Sequence, residues 1–164
     1  MTKRRRFRQS GQAMVEFALV APIFFFLLFG IIEGGRFIFY YEMLNSATRE
    51  GARYAIVHGS NSTCPTGPMP AGQTNVCGAD DTGTRVINAA KSAAVGLVGS
   101  GDLSADPPAW WDCADPPPVA GDASTGTNER GKCVTVFLQY SYSTLLPVLP
   151  PITISAESSL VINN

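Results

Sequence analysis

Hydrophobic and polar positions change their spacing several times along this chain. From Ala13 to Ile32 the residues are uniformly apolar apart from Glu16. The 18 residues from Val15 to Ile32 would span about 27 Å as a helix, close to the thickness of a bilayer's hydrocarbon core. Beyond Ile32 the pattern becomes periodic. Phe37, Tyr41 (or Tyr40), Leu44, Thr48 (or Ala47), Gly51 and Ala55 recur at three- and four-residue steps, while Glu33, Arg36, Glu42, Glu50 and Arg53 fall largely elsewhere. This predicts an amphipathic continuation of the same helix. Unbroken from Gln12 to about Val57 it would be about 70 Å long, with His58-Gly59-Ser60-Asn61 as the stop. Two weak points interrupt it. Pro22 removes one backbone hydrogen bond, and Gly34-Gly35 lowers helix stability where the apolar run ends. Gly30-x-x-x-Gly34 also fits the small-residue motif for close helix packing.

The remaining pattern predicts a small mixed domain. Residues 60–78 are rich in Pro, Gly, Ser and Thr and read as a loop. Thr82 to Val98 places Val86, Ile87, Ala90, Ala94, Leu97 and Val98 at helical spacing, with Asp80, Asp81 and Thr82 as cap candidates. Residues 99–132 read as irregular, stiffened by Asp106-Pro107-Pro108 and Asp115-Pro116-Pro117-Pro118. Trp110 and Trp111 lie between these runs, as an exposed contact patch or as the lid of a small core. Val134, Val136, Leu138 and Tyr140 then alternate with Thr135, Phe137, Gln139 and Ser141, the period-2 signal of a strand. After a turn with Pro147, Pro150 and Pro151, Ile152–Ala156 and Ser159–Ile162 predict one or two more strands. The expected class is α+β: a long N-terminal helix carrying a head of one further helix and a short antiparallel sheet. Its sheet is expected to pack on the outer half of helix 1 and on helix 2. The expected divisions are a basic leader (1–11), a transmembrane helix (12–33), its amphipathic continuation (34–58) and the head (59–164).

Charge sharpens this picture. The chain has 12 Lys+Arg against 13 Asp+Glu, a net of −1. Lys3, Arg4, Arg5, Arg6 and Arg8 all precede the apolar run. Without those five, seven basic residues face 13 acidic ones, a net of −6. So acidic a remainder argues against nucleic-acid binding through a basic surface. A basic run directly before an apolar span marks the cytoplasmic side, giving N-terminus in and C-terminus out.

The four cysteines, Cys64, Cys77, Cys113 and Cys133, all lie in the part that would be exported. None forms C-x-x-C and there is one His, so disulfides in an oxidising compartment fit better than a zinc site. Of three possible pairings, Cys64–Cys77 and Cys113–Cys133 are favoured because each brackets a Pro/Gly-rich loop. Loop closure is worth roughly 3 kcal/mol for each.

The sequence carries no G-x-S-x-G, H-E-x-x-H or P-loop, and no cofactor or metal is expected. His58 is accounted for by cation placement at a helix C-terminus. Asp102, Asp106, Asp112, Asp115 and Asp122 lack the spacing of a calcium loop. Asn61-Ser62-Thr63 matches a glycosylation acceptor and is read as accidental. The residue that stands out is Glu16, a carboxylate that costs several kcal/mol in hydrocarbon unless paired or protonated.

The spacing around Glu16 is specific: basic leader, Gly11, five residues ending in Glu16, then Phe17 and a long apolar run. It resembles the class III signal of type IV pilins. An ordinary secretory signal would instead be cut after its apolar run. Together with Ala13, Val15-Glu16-Phe17-Ala18-Leu19, Pro22, Phe29-Gly30, Glu33 and Gly51-Ala52-Arg53, the stretch from Gly11 to about Val57 resembles the TadE-like family, minor pilins or pseudopilins of the tight-adherence (Flp) pilus. The resemblance implies a cut between Gly11 and Gln12 by a prepilin peptidase, with Glu16 fifth in the mature chain and Glu16 and Phe17 serving processing and assembly. It implies helix packing through Gly30, Gly34 and Gly51. The partners implied are other pilin subunits meeting helix 1, the inner-membrane assembly platform and the lipid bilayer. The location implied is the cytoplasmic membrane and, after assembly, an extracellular pilus. The alternative from a different class is a stand-alone anchored binding module whose surface is Trp110, Trp111 and the Cys113–Cys133 loop.

Overall fold

Helix α1 runs without interruption from Arg6 to Val57, passing through Pro22. The structure is a computed structural model and describes residues 6–97, 103–145 and 150–163. Lys3 to Arg5, Val98, Asp102 and Pro147, all named above, lie outside the described residues. The chain divides into two compact units, Met1–Ile38 and Phe39–Asn164. The second half of α1 thus belongs to the head. The helix begins earlier than the expected Gln12, because Arg and Gln are good helix formers and one Gly costs only about 1 kcal/mol.

In the head, the buried residues of α1 are Leu44, Ala47, Thr48, Gly51, Ala52 and Ala55. Their three- and four-residue spacing is the amphipathic stripe read from the sequence. Between the two tyrosine choices, Tyr40 turns inward against Tyr140 and Tyr142, with ring centroids 5.3 and 5.5 Å away. Tyr41 and Phe37 stay partly exposed, at 44% and 37%.

The second helix, α2, spans Thr84–Ala93 and is shorter than expected at both ends. Asp80 caps it from the preceding turn: its carboxylate accepts the backbone N–H groups of Thr84 (2.7 Å) and Arg85 (3.2 Å). Gly83 supplies the left-handed residue between them, φ 66°. The helix ends where Ala94 leaves helical geometry and Gly96 follows. Val86, Ala90 and Ala94 face the core.

Three strands form one antiparallel sheet in the order β1-β2-β3, with β1 Leu103–Trp111, β2 Cys133–Tyr142 and β3 Ile152–Val161. The last is a single strand. The first corrects the sequence reading, which placed residues 99–132 in irregular structure. Its prolines are tolerated because β1 is an edge strand and its register with β2 shifts between Asp106 and Ala109, at Pro107-Pro108.

Alternation on the sheet separates two faces. Val134, Val136, Leu138, Tyr140 and Tyr142 of β2 join Trp110, Ile154 and Ala156 against the helices. Trp110 is fully buried, and Gly67 and Gly83 make room for it. A Cβ on Gly67 would lie 2.3 Å from its ring and one on Gly83 2.5 Å. On the other face Trp111 donates from Nε1 to Thr135 Oγ1 (3.0 Å), which also meets Ser159 Oγ (2.8 Å).

Both disulfides join the expected partners, Cys64 to Cys77 and Cys113 to Cys133, with Cα atoms 5.3 and 5.2 Å apart. The first closes the loop that carries Gly67. The second clamps the end of β1 to the start of β2.

Gly67 is therefore a point where backbone and packing coincide, since it also holds φ 86°. Gly67→Ala should lower the head's unfolding free energy by about 1–3 kcal/mol, the usual cost of overpacking. Gly34→Ala, with open space around it, should leave the head unchanged. Denaturant titration of the full chain in detergent, read by tryptophan emission, measures both.

Candidate functional site

The first unit is built for lipid rather than water. Met14, Val15, Phe17, Leu19, Phe24, Phe26, Leu27 and Ile31 are all more than half exposed. The mean hydropathy of the best 18-residue window in α1 is 2.5 with none of it buried, so α1 is long and apolar enough to cross a membrane. Exposed apolar surface on this scale is stable only where water is absent. Among the described residues α1 is the one helix with the length and composition of a membrane span, which suggests a single-pass anchor.

Glu16 sits near the start of this surface. Gln12, one helical turn earlier, donates from Nε2 to its Oε1 at 3.0 Å. The residue that follows the expected cut and the residue that carries the charge are therefore already joined. The spacing of four residues is what makes them neighbours on one helix face. Gly11 and Gln12 are both helical, so a cut between them requires the first turns of α1 to open, and helix ends fray readily. Phe17 is exposed. At the far end of the apolar run Arg36 Nη1 pairs with Glu33 Oε2 at 3.2 Å.

The three glycines named for helix packing part company. Gly30 and Gly34 have nothing within 4 Å of a would-be Cβ, so that stripe is open to a neighbour. Gly51 is already used inside the head: its would-be Cβ lies 2.8 Å from Ala90 of α2 and 3.2 Å from Val136 of β2.

The alternative surface in the head fares differently. Trp110 and Trp111 are buried, at 0% and 7% exposure, which overturns the exposed-patch reading and bears out the core reading. The aspartates near them have separate partners. Asp106 accepts from Gln139 and Asp122 from the Val119 N–H. Asp112 meets Lys132 Nζ at 2.6 Å beside the Cys113–Cys133 bridge. Among the described residues no cluster of His, Cys, Asp and Glu is suited to a metal ion. His58, at the end of α1, donates from Nδ1 to the Tyr54 carbonyl (2.8 Å), and its ring stacks on that of Tyr54 at 4.0 Å.

Among known proteins, the TadE-like protein family matches residues 11–53. That interval holds the Gly11–Gln12 bond, Glu16, the apolar span and the first part of the head's helix. The resemblance read from the sequence is shown over this stretch. No curated protein and no solved structure matches the chain.

The Asp112–Lys132 pair generates a pH test. The hydrogen bond and charge of Lys132 hold the Asp112 carboxyl below its ordinary range, and Asp112 in turn raises Lys132. A depressed carboxyl contributes stability above its unfolded pKa, about 4, and loses it as pH falls through the folded value. The wild-type head should therefore lose more stability than Lys132→Ala as pH falls below about 4. High salt should shrink the difference, since both side chains are partly exposed. Thermal melts across pH measure it.

Proposed function

We propose that this chain is a membrane-anchored TadE-like minor pilin or pseudopilin of a tight-adherence type IV pilus. In this reading a prepilin peptidase cuts between Gly11 and Gln12. The mature chain then acts in assembly of the filament, in initiation, priming or at the tip. The observation that carries the reading is the coincidence of the family match over 11–53 with the Gln12–Glu16 pair at the head of a lipid-exposed helix. Proteins of this family are in general assembly components rather than enzymes, and the chain's own residues suit that role.

The proposed chemistry is a partner exchange. Before the cut, Glu16 accepts a neutral amide from Gln12. The cut leaves an ammonium on Gln12. In an assembling filament the ammonium of one subunit replaces the amide at Glu16 of its neighbour. Charge-assisted hydrogen bonds are about twice as strong as neutral ones, and a carboxylate in lipid is costly without a cation. Each subunit thereby gains a reason to dock at one axial register. Gly30 and Gly34 offer the close-packing stripe along the same helix. The partners in this reading are the peptidase, other pilin subunits through α1, the assembly platform and the bilayer. The leader Lys3–Arg8 lies on the cytoplasmic side and the head outside.

Removing one partner of a buried ion pair typically costs 3–5 kcal/mol. Glu16→Ala or Glu16→Val should therefore lower recovery of the protein in sheared filaments by a factor on the order of one hundred or more. Quantitative immunoblotting of membrane and sheared fractions from the native host measures this. Unchanged cleavage and unchanged recovery would refute the exchange.

A further inference from the structure

The head is chemically unequal at its two ends. Several elements meet at the end where α1 enters. The Tyr40 ring packs at a tilt against those of Tyr140 and Tyr142. The would-be Cβ of Gly96, just beyond α2, lies 2.6 Å from Met43 and 3.9 Å from Phe39. Leu103, the first residue of β1, pairs with Tyr140, and Ile152, the first of β3, pairs with Tyr142. The described segments that arrive here, residues 37–41, 92–97, 133–145 and 150–156, contain no Asp, Glu, Lys, Arg or His. The other end holds Asp80, Asp81, Arg85, Asp112, Asp115 and Lys132, around the start of α2 and the β1–β2 junction.

Apolar and aromatic side chains remain exposed at the uncharged end. Val95 is 76% exposed, Phe39 and Leu145 57%, Ile152 48% and Tyr41 44%. They come from α1, from the turn after α2 and from both sides of the β2–β3 connection. Folding has left them outside the core although they lie beside it. Phe39 opens the head one residue after Ile38, the last residue of the apolar unit. The head therefore begins, within α1, at the residue where the lipid-exposed unit ends.

We propose that this rim of the head, Phe39, Tyr41, Val95, Leu145 and Ile152, seats in the polar–apolar boundary of the lipid bilayer as a second, monotopic contact. Tyrosine and large apolar residues favour this layer, and the absence of charge removes the cost of entering it. The second contact would restrict the head's tilt on its helix. This inference rests on the membrane anchor of the reading above, and not on cleavage or entry into a filament.

The test uses full-length protein reconstituted in vesicles of phosphatidylcholine and phosphatidylglycerol with brominated acyl chains. Leu145→Trp and Val95→Trp report on the rim. Val76→Trp, a fully accessible site in the Cys64–Cys77 loop at the charged end, serves as the water-exposed control. The wild-type chain supplies the baseline of buried Trp110 and Trp111. Both rim variants should show blue-shifted added emission that is lost in brominated lipid and protected from aqueous iodide, while Val76→Trp shows the reverse. Iodide quenching without bromine quenching at the rim would overturn the inference and leave the anchor intact. Protection from both quenchers would assign the rim to a protein partner and overturn the lipid contact. A chain that failed to co-float with the vesicles would remove the anchor itself.

Discussion

One helix must satisfy two environments, and the burial of its second half is the interaction on which the head depends. Leu44, Ala47, Thr48, Ala52 and Ala55 of α1 have no exposed surface to speak of. They provide the floor on which the sheet and α2 are laid. Gly51 lets α2 and β2 approach that floor at distances that a side chain would forbid. A head of this size has little core to draw on, so the two disulfides and the tight seat of Trp110 between Gly67 and Gly83 matter more than they would in a larger domain. The first half of α1 has no such floor. Its side chains point outward along the whole turn, and only lipid or other apolar helices can satisfy them.

Function follows from this division of labour. The apolar half brings the chain to a membrane and presents Gln12 and Glu16 at its start. The amphipathic half supplies part of the head's own core. This division suits a subunit whose position in an assembly is fixed at its N-terminus.

Much of this was legible in the sequence because it depends on local spacing. The uniform run Val15–Ile32, the stripe through Leu44, Gly51 and Ala55, and the alternation of Val134 to Tyr140 are periodicities, and each became the element expected. The Gln12–Glu16 hydrogen bond was not read from the sequence, although an interval of four on a helix is the signal that could have found it. What escaped depends on contacts distant in the chain. Strand β1 was hidden because Pro107-Pro108 looks like a turn until an edge position and a register shift accommodate it. Tyr40 and Tyr41 are equivalent in a helical stripe, and only Tyr140 and Tyr142, a hundred residues away, decide between them. The two tryptophans looked alike as neighbours, yet strand alternation sends them to opposite faces. The matching stretch, 11–53, includes Tyr40 and Tyr41 but stops short of β1, both tryptophans and the Tyr140 and Tyr142 that choose between them.

The most direct measurement is the N-terminus of the protein isolated from its native host, by intact mass and sequencing of the terminal peptide. The account predicts a chain that begins at Gln12, free or cyclised, with both disulfides closed. A chain that still carries Lys3 to Arg8 would contradict it and leave α1 as an uncut anchor.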